Sequence, residues 1–512
     1  MKNDNLKFKI IFSCLFFLSG FLMWGNAMSA DYYVAQTDAG NANGTSCANA
    51  NALADLTWGT GNNVTAGDTL HLCGTITSTV SIGVSGTEEN LVTIKFEDNA
   101  KFSKAVWAGN DYGSESPIDT NGNDYLLIDG GTNGIIENTA NGTGLTYQVT
   151  SYGIFATSSS NIEIKNLTIQ NLYVRNSDTD TASESFSSGS NSIYTGSATA
   201  NFSVHDCNFS HSVGGLLFGF GSGTLDNVQI YNNTFANIDH NISIYTTTGS
   251  LNSISIHGND FSDYYNWDDT VSNKYHHNAL HLFSTSSGTV NGLFIYNNKN
   301  HGDIGSYSTS HYYLENSGSG TWTNIKIFNN LILAPTNANG IWNIAVGCGT
   351  SCTIYDSLIA NNTIFGKKAG SNYGMLFSGT GNQIVVENNA IIGCDMAISD
   401  TMYADAINAT YDYNLYSGNT YYGGENHNVW IDWQSHTAGE SHGVNTAEYG
   451  LSDLGVPSAT SATTSKGADL SLNFTTDYAE NARTEPWDIG AYEYVGVSDI
   501  VAPASPTGLA VS

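Results

Sequence analysis

The sequence is short of positive charge. Its 512 residues carry 15 Lys and Arg against 46 Asp and Glu, a formal net charge of −31. Nucleic acid is excluded as a partner, because phosphate contacts need clustered Lys and Arg. A strongly anionic polysaccharide is disfavoured for the same reason, local patches aside. Proline is scarce too: there are six, and Pro503 and Pro506 fall in the last ten residues. Only 12% of residues are charged, while Gly, Ser, Thr and Asn abound, so amphipathic helices have little to be built from. No C-x₂-C pair occurs, which argues against a zinc site. Beyond residue 30 no apolar run is long enough to span a bilayer. The acidic excess serves solubility. Surface carboxylates also make Ca²⁺ the one candidate cofactor.

The first thirty residues stand apart. Lys2, Lys7 and Lys9 form a basic start, an apolar run follows from about Ile10 to Trp24, and Ala27 and Ala30 offer small residues for cleavage. This pattern predicts a secretory signal peptide over 1–30, hence a protein that is secreted or held at the cell surface. Its removal leaves 12 basic against 45 acidic residues, a net of −33. Cys14 leaves with it. The remaining six cysteines permit disulfides in an exported protein, with Cys47–Cys73 and Cys348–Cys352 the plausible pairs. Cys207 and Cys394 fall in repeat positions and read as small buried apolar residues.

What the chain has in abundance is a repeat. V-Q-I-Y-N-N-T-F at 228 returns as I-S-I-H-G-N-D-F at 254, L-F-I-Y-N-N-K-N at 293, I-K-I-F-N-N-L-I at 325, S-L-I-A-N-N-T-I at 357 and I-V-V-E-N-N-A-I at 384. An Asn recurs at 233, 259, 298, 330, 362, 389 and 414, with gaps of 25 to 39 residues. Apolar residues two apart point to one side of a strand. The Asn then turns the chain, since Asn tolerates left-handed backbone and bonds locally. Stacked coil on coil, such side chains can bond to one another along an axis. A unit of this size made of short strands is a solenoid. Propeller blades of about 40–45 residues do not fit most of the gaps.

This arrangement resembles the right-handed parallel β-helix over most of residues 80–420. Y-Y-V-A-Q-T-D-A-G at 32 and A-G-D-T-L-H-L-C-G-T at 66 resemble the opening of secreted, polysaccharide-active β-helix proteins of the pectate-lyase-like superfamily. W-D-I-G-A-Y-E-Y at 487 resembles a closing strand of such chains, and A-P-A-S-P-T-G-L at 502 the start of a fibronectin type III module. The expected all-β organisation is a signal peptide at 1–30, an N-terminal cap at 31–80, a parallel β-helix at 81–420, C-terminal coils and cap at 421–496, and a linker or truncated module at 497–512. The resemblance implies a polysaccharide lyase or glycosidase.

The candidate site comes from aligning the second strand of each coil. Leu216 and Phe218, Ile242 and Ile244, Leu280 and Leu282, Tyr312 and Leu314, and Met375 and Phe377 take the inward positions. Asn241, Ser243, Tyr245, His281, Phe283, His311, Tyr313 and Glu315 then face outward, with neighbouring coils about 4.8 Å apart. For glycoside hydrolysis, which uses two carboxyl groups, Glu315 is the best-placed acid, with Asp303, Asp268, Asp269 and Asp239 as candidate partners. For β-elimination, His281, Tyr313, Tyr245 or Lys274 could be the base, and Ca²⁺, with Asp268 and Asp269 as candidate ligands, the neutralising cation.

The 39-residue gap inserts D-Y-Y-N-W-D-D-T-V-S-N-K-Y-H-H before His281. It suggests a substrate groove walled by Trp267, Tyr264 and Tyr265, with His276 and His277 at its rim and His311 and Lys274 beside it. On a strand His277 and His281 stand about 13 Å apart, too far to share one ion. The functional expectation is an exported monomer that cleaves an extracellular polysaccharide. The alternative is a non-catalytic adhesin or glycan-binding protein.

Overall fold

The computed structural model describes residues 29–496 except 60, 62, 109–114, 177–188, 268–276, 306–309, 336–341, 349–351, 367–371, 379–383, 401–408, 418–419, 423–425 and 428. The predicted signal peptide, apart from its last two residues, and the C-terminal linker lie outside these.

The described strands form one continuous sheet wound into a parallel β-helix. Parallel strands joined by crossovers of this kind wind right-handed. One coil shows the plan. Thr224–Tyr231 runs along the first side, the chain turns at Asn232 and Asn233, and Thr234–Thr246 bends near Asn237 to supply the second and third sides. Ser250–His257 then begins the next coil in register with Thr224–Tyr231. The inward rows Val228–Ile254–Leu293–Ile325 and Ile230–Ile256–Ile295–Ile327 are buried, so the apolar core is continuous along the axis.

Where two Asn stand side by side in a repeat, they divide the work. The first, as at Asn232, Asn297, Asn329, Asn361 and Asn388, takes the left-handed backbone, with φ between 52° and 59°. The second turns its side chain inward. Its amide donates to the next coil's carboxamide oxygen from 233 through 259, 298, 330, 362 and 389 to 414. The row ends on a carboxylate: Glu440 accepts from Asn414 Nδ2 at 2.9 Å and from Tyr416 Oη at 2.5 Å. On the first side an outward stack of His205, Tyr231, His257, Tyr296 and Phe328 follows the axis, rings 4.5 to 5.1 Å apart.

The ends differ from a simple stack of coils. Asp31–Ala35 already pairs in parallel with Thr69–Cys73, so the winding begins at residue 31. Helix α1, Trp430–Thr437, seats Trp433 on Tyr411 and Tyr421 at the other end. Residues 446–494 then fold back along the flank. Asn361 donates to the carbonyls of Asp488 and Gly490, Arg483 donates to Asn329, and Phe474 stacks on Phe328. The expected closing strand at 487–494 is thus not a strand. Side chains of the coils, rather than a neighbouring strand, take its carbonyls. Cys47–Cys73 and Cys348–Cys352 are bridged, and Cys207 and Cys394 are buried thiols. No helix among the described residues is long and apolar enough to cross a membrane.

Candidate functional site

Seven strands carry the site: β1 Asn191–Thr195, β2 Asn208–Phe220, β3 Thr234–Thr246, β4 Asn278–Ser284, β5 Ser310–Asn316, β6 Trp342–Cys348 and β7 Tyr373–Ser378. Period-two alternation with Ile242, Ile244, Leu280, Leu282, Tyr312 and Leu314 inside leaves two outward rows. One reads Leu217, Ser243, His281, Tyr313, Ala345, Leu376. The other reads Gly219, Tyr245, Phe283, Glu315, Gly347, Ser378. The inward assignments made from the sequence hold in register. The coil of β6 escaped that alignment, its Ile344 and Val346 lying between those of β5 and β7.

His281, Tyr313, Glu315 and Tyr245 therefore share one patch. The His281 and Tyr313 rings stack at 5.2 Å and 9°. His281 Nε2 lies 4.0 Å from Glu315 Oε2. Tyr245 stands opposite Phe283 rather than His281, the rings edge to face at 4.9 Å. The His281 side chain is 6% exposed and that of Glu315 32%, so the carboxylate is the group that meets solvent. Burial pushes the His281 imidazole below its ordinary value, against the opposing pull of Glu315. The ring is neutral at pH 7 and keeps a basic nitrogen. Burial and then the charge of Glu315 push the Tyr313 phenol up, so it stays protonated, a hydrogen-bond donor. The same two causes raise Tyr245.

Tyr245, Phe283 and Glu315 form a ridge with a depression on either side. One, of about 400 Å³, is lined by Tyr194, Leu217, Gly219, Phe220, Tyr245 and Thr247. The other, of about 440 Å³, is lined by Tyr313, Glu315, Ser317, Gly347, Leu376 and Ser378, among others. Gly219 and Gly347 are the reason the floor drops at both ends of the ridge. A Cβ at Gly219 would meet nothing nearer than Leu217 at 4.0 Å. From Gly219 to Ser378 the row covers five coil steps, roughly 24 Å.

Other expected site residues lie elsewhere. Tyr264 and Trp267 are 0% and 1% exposed, packed with Tyr173, Val213 and Ile304. Trp267 Nε1 donates to the Asn237 carbonyl, and Tyr264 Oη lies 2.8 Å from His311 Nδ1. They fill the inside of the bend and do not wall a groove, because their ring faces are spent on that packing. His311 is buried with them, its imidazole pushed down to about 3 by burial. His277 is also buried and donates to Asp239. Asn241, expected outward, is buried and donates to the Asn278 carbonyl.

Asp239 is no surface acid. It is 0% exposed and accepts from His240 Nδ1 at 2.9 Å and His277 Nδ1 at 2.7 Å. Despite burial, those imidazoles hold it well below the ordinary carboxylate range. Asp303 is a turn residue whose carboxylate accepts from Gly305 N and whose own N–H donates to Asp263. The side chains of Tyr265, Asp268, Asp269, Lys274 and His276 lie outside the described residues. Among the described residues Glu315 is the carboxylate of the two outward rows on β2 to β7, and no group of three His, Cys, Asp or Glu could hold a metal. The sequence reading missed His240, because its place beside His281, rings 5.6 Å apart, depends on the bend of β3 and not on the strand alternation.

No protein-family profile matches the sequence, and a comparison with curated proteins finds no match. Among solved structures the chain is similar to a GH136 lacto-N-biosidase from Eubacterium ramulus, at 13% identity and a TM-score of 0.42 over 76% of this chain and 67% of that one. It is similar to a family 28 exopolygalacturonase from Yersinia enterocolitica, at 11% identity and a TM-score of 0.40 over 70% and 71%. It is similar also to the pectate lyase Pel9A, at 14% identity and a TM-score of 0.35 over 92% and 97%. Likeness at this level concerns the fold alone, and the chemistry of the site stands on its own residues.

Proposed function

We propose that the protein binds an extracellular polysaccharide along this outer face and cleaves it beside Glu315. The observation that carries the reading is the grouping of Glu315, Tyr313 and His281 on an aromatic ridge between two depressions. Tyr245 and Phe283 offer apolar ring surface to the C–H faces of sugars, with the glycosidic link over Glu315. Glu315, the solvent-facing carboxylate, exchanges a proton with the substrate. Tyr313 donates a hydrogen bond, and neutral His281 backs the carboxylate. The basic-then-apolar start of the chain supports export, which puts the protein where such polymers are.

A second reading, glycan binding without cleavage, is favoured by one observation. Hydrolysis ordinarily uses two carboxyl groups about 5–9.5 Å apart, and among the described residues the outward rows of β2 to β7 place no second carboxylate beside Glu315. A panel of polysaccharides, each incubated with and without Ca²⁺, separates the outcomes. New reducing ends without unsaturation mark a hydrolase, and absorbance from unsaturated uronates marks a lyase. Retained binding with neither product leaves the second reading standing and removes the first.

A further inference from the structure

Behind His281 lies a set of buried polar groups that the repeat does not require. Asp239, His240 and His277 are 0%, 1% and 0% exposed. In the neighbouring coils the place of His240 is held by Gly214 on one side and Asn278 on the other. The coil can be closed there without an imidazole. Burying a carboxylate costs several kcal/mol unless its oxygens are bonded. Asp239 meets that cost by accepting from both histidines. A carboxylate can only accept, so each histidine donates Nδ1–H, which fixes the tautomer of the neutral ring.

The arrangement leads to the groove. The His240 ring, from β3, lies 5.6 Å from that of His281, tilted by 42°. Tyr313, from β5, covers His281 from the neighbouring strand on the other side. Glu315, also on β5, reaches His281 Nε2 from the solvent side. Phe283 stacks on it from its own strand. A line thus runs from a fully buried carboxylate through two imidazoles to the carboxylate at the surface.

We propose that Asp239 and His240 are positioning residues for His281, fixing the tautomer of one imidazole so that it orients the next. This rests on the reading that His281 and Glu315 form the working site. An oriented imidazole needs a third group that holds it, and an aspartate is the usual holder. His277 takes the second oxygen of Asp239 and, with Tyr264 and His311 beyond it, belongs to the packing of the bend.

The test uses the full-length protein with ¹⁵N-labelled histidine and the variant Asp239→Asn. An amide accepts from one imidazole but presents N–H to the other, so one histidine must change tautomer. The expected result is a changed His240 tautomer and a His281 titration displaced to lower pH, because a buried negative charge has gone. In the cleavage assay kcat falls about 10–100-fold with little change in KM, and the acid limb of the pH profile moves with His281. His277→Gln is expected to lower stability and leave the His281 titration in place.

A folded Asp239→Asn protein with unaltered His240 tautomer and His281 titration overturns the proposal. Should that variant not fold, His240→Gln, which can still donate to Asp239, carries the same test, and an unmoved His281 overturns it equally. The titration needs no turnover. A wild-type protein without cleavage therefore removes the catalytic reading, while the spectra still decide whether Asp239 and His240 govern His281.

Discussion

Two buried polar rows cross the same coils, and they are built in opposite ways. The Asn row from 233 to 414 repeats one residue type and one bond at every coil. The row behind the groove changes at every step: Asp239 is shared by His240 and His277, His281 follows beside them, and His311 is bonded to Tyr264. The same demand, that polar groups inside a solenoid be bonded, bears on both. A periodic row is what the fold needs in order to turn each coil. An aperiodic row gives no such return to the fold, and it lies under the solvent-facing carboxylate of Glu315. The contrast separates scaffold from site without any appeal to resemblance.

Four changes probe that contrast. The largest effect is expected from Glu315→Gln, which should lower the cleavage rate roughly 10²–10⁴-fold while moving stability by no more than about 0.5 kcal/mol. Rate assay and thermal melt together read both. Asn298→Ala should do the reverse. It removes the hydrogen bonds that Asn298 makes to the Ile256 carbonyl and accepts from the Asn259 backbone and side-chain N–H. A loss on the order of 3–5 kcal/mol follows, with glycan binding intact in whatever remains folded.

The end of the Asn row gives the third. Burial raises the Glu440 carboxyl to about 7. A carboxyl raised on folding favours the protonated folded state. Its cost is therefore absent in acid and grows as pH rises from the ordinary value of 4.5 towards 7. Glu440→Gln keeps an acceptor for Asn414 and cannot ionise. Denaturant melts at pH 4 and pH 8 should show a stability loss of up to about 3 kcal/mol in the wild type that the variant lacks. The smallest effect is expected from Tyr245→Ala, which should weaken glycan binding about tenfold by titration calorimetry, near 1.4 kcal/mol.

Much of the scaffold was legible in the sequence. The apolar alternation of I-S-I and L-H-L sets which side chains enter the core, and a one-residue slip would expose them all. The patch of His281, Tyr313 and Glu315 followed from that alternation alone. Trp267 and Tyr264 did not, because an aromatic pair in a long insertion looks the same whether its rings face solvent or the inside of a bend. Here Val213, Ile304 and Tyr173 supply the apolar partners, and their sequence positions lie far away. Asp239 looked like a free acid for a related reason: its bonds to His240 and His277 exist only once the coils stack. The folding back of 446–494 left no periodic trace, since it is fixed by side chains of Asn329, Asn361 and Asn388 rather than by a strand ladder.

The most direct test of the site is where a glycan lands. Oxidative footprinting can be run with and without an oligosaccharide of whichever polymer the panel selects. Tyr245, Phe283 and Tyr313 should then be protected, while Tyr231 and Tyr296 of the outward stack on the first side should not. Protection of Tyr231 and Tyr296 with Tyr245 and Tyr313 unchanged would contradict the account, because it would put the ligand on the periodic face.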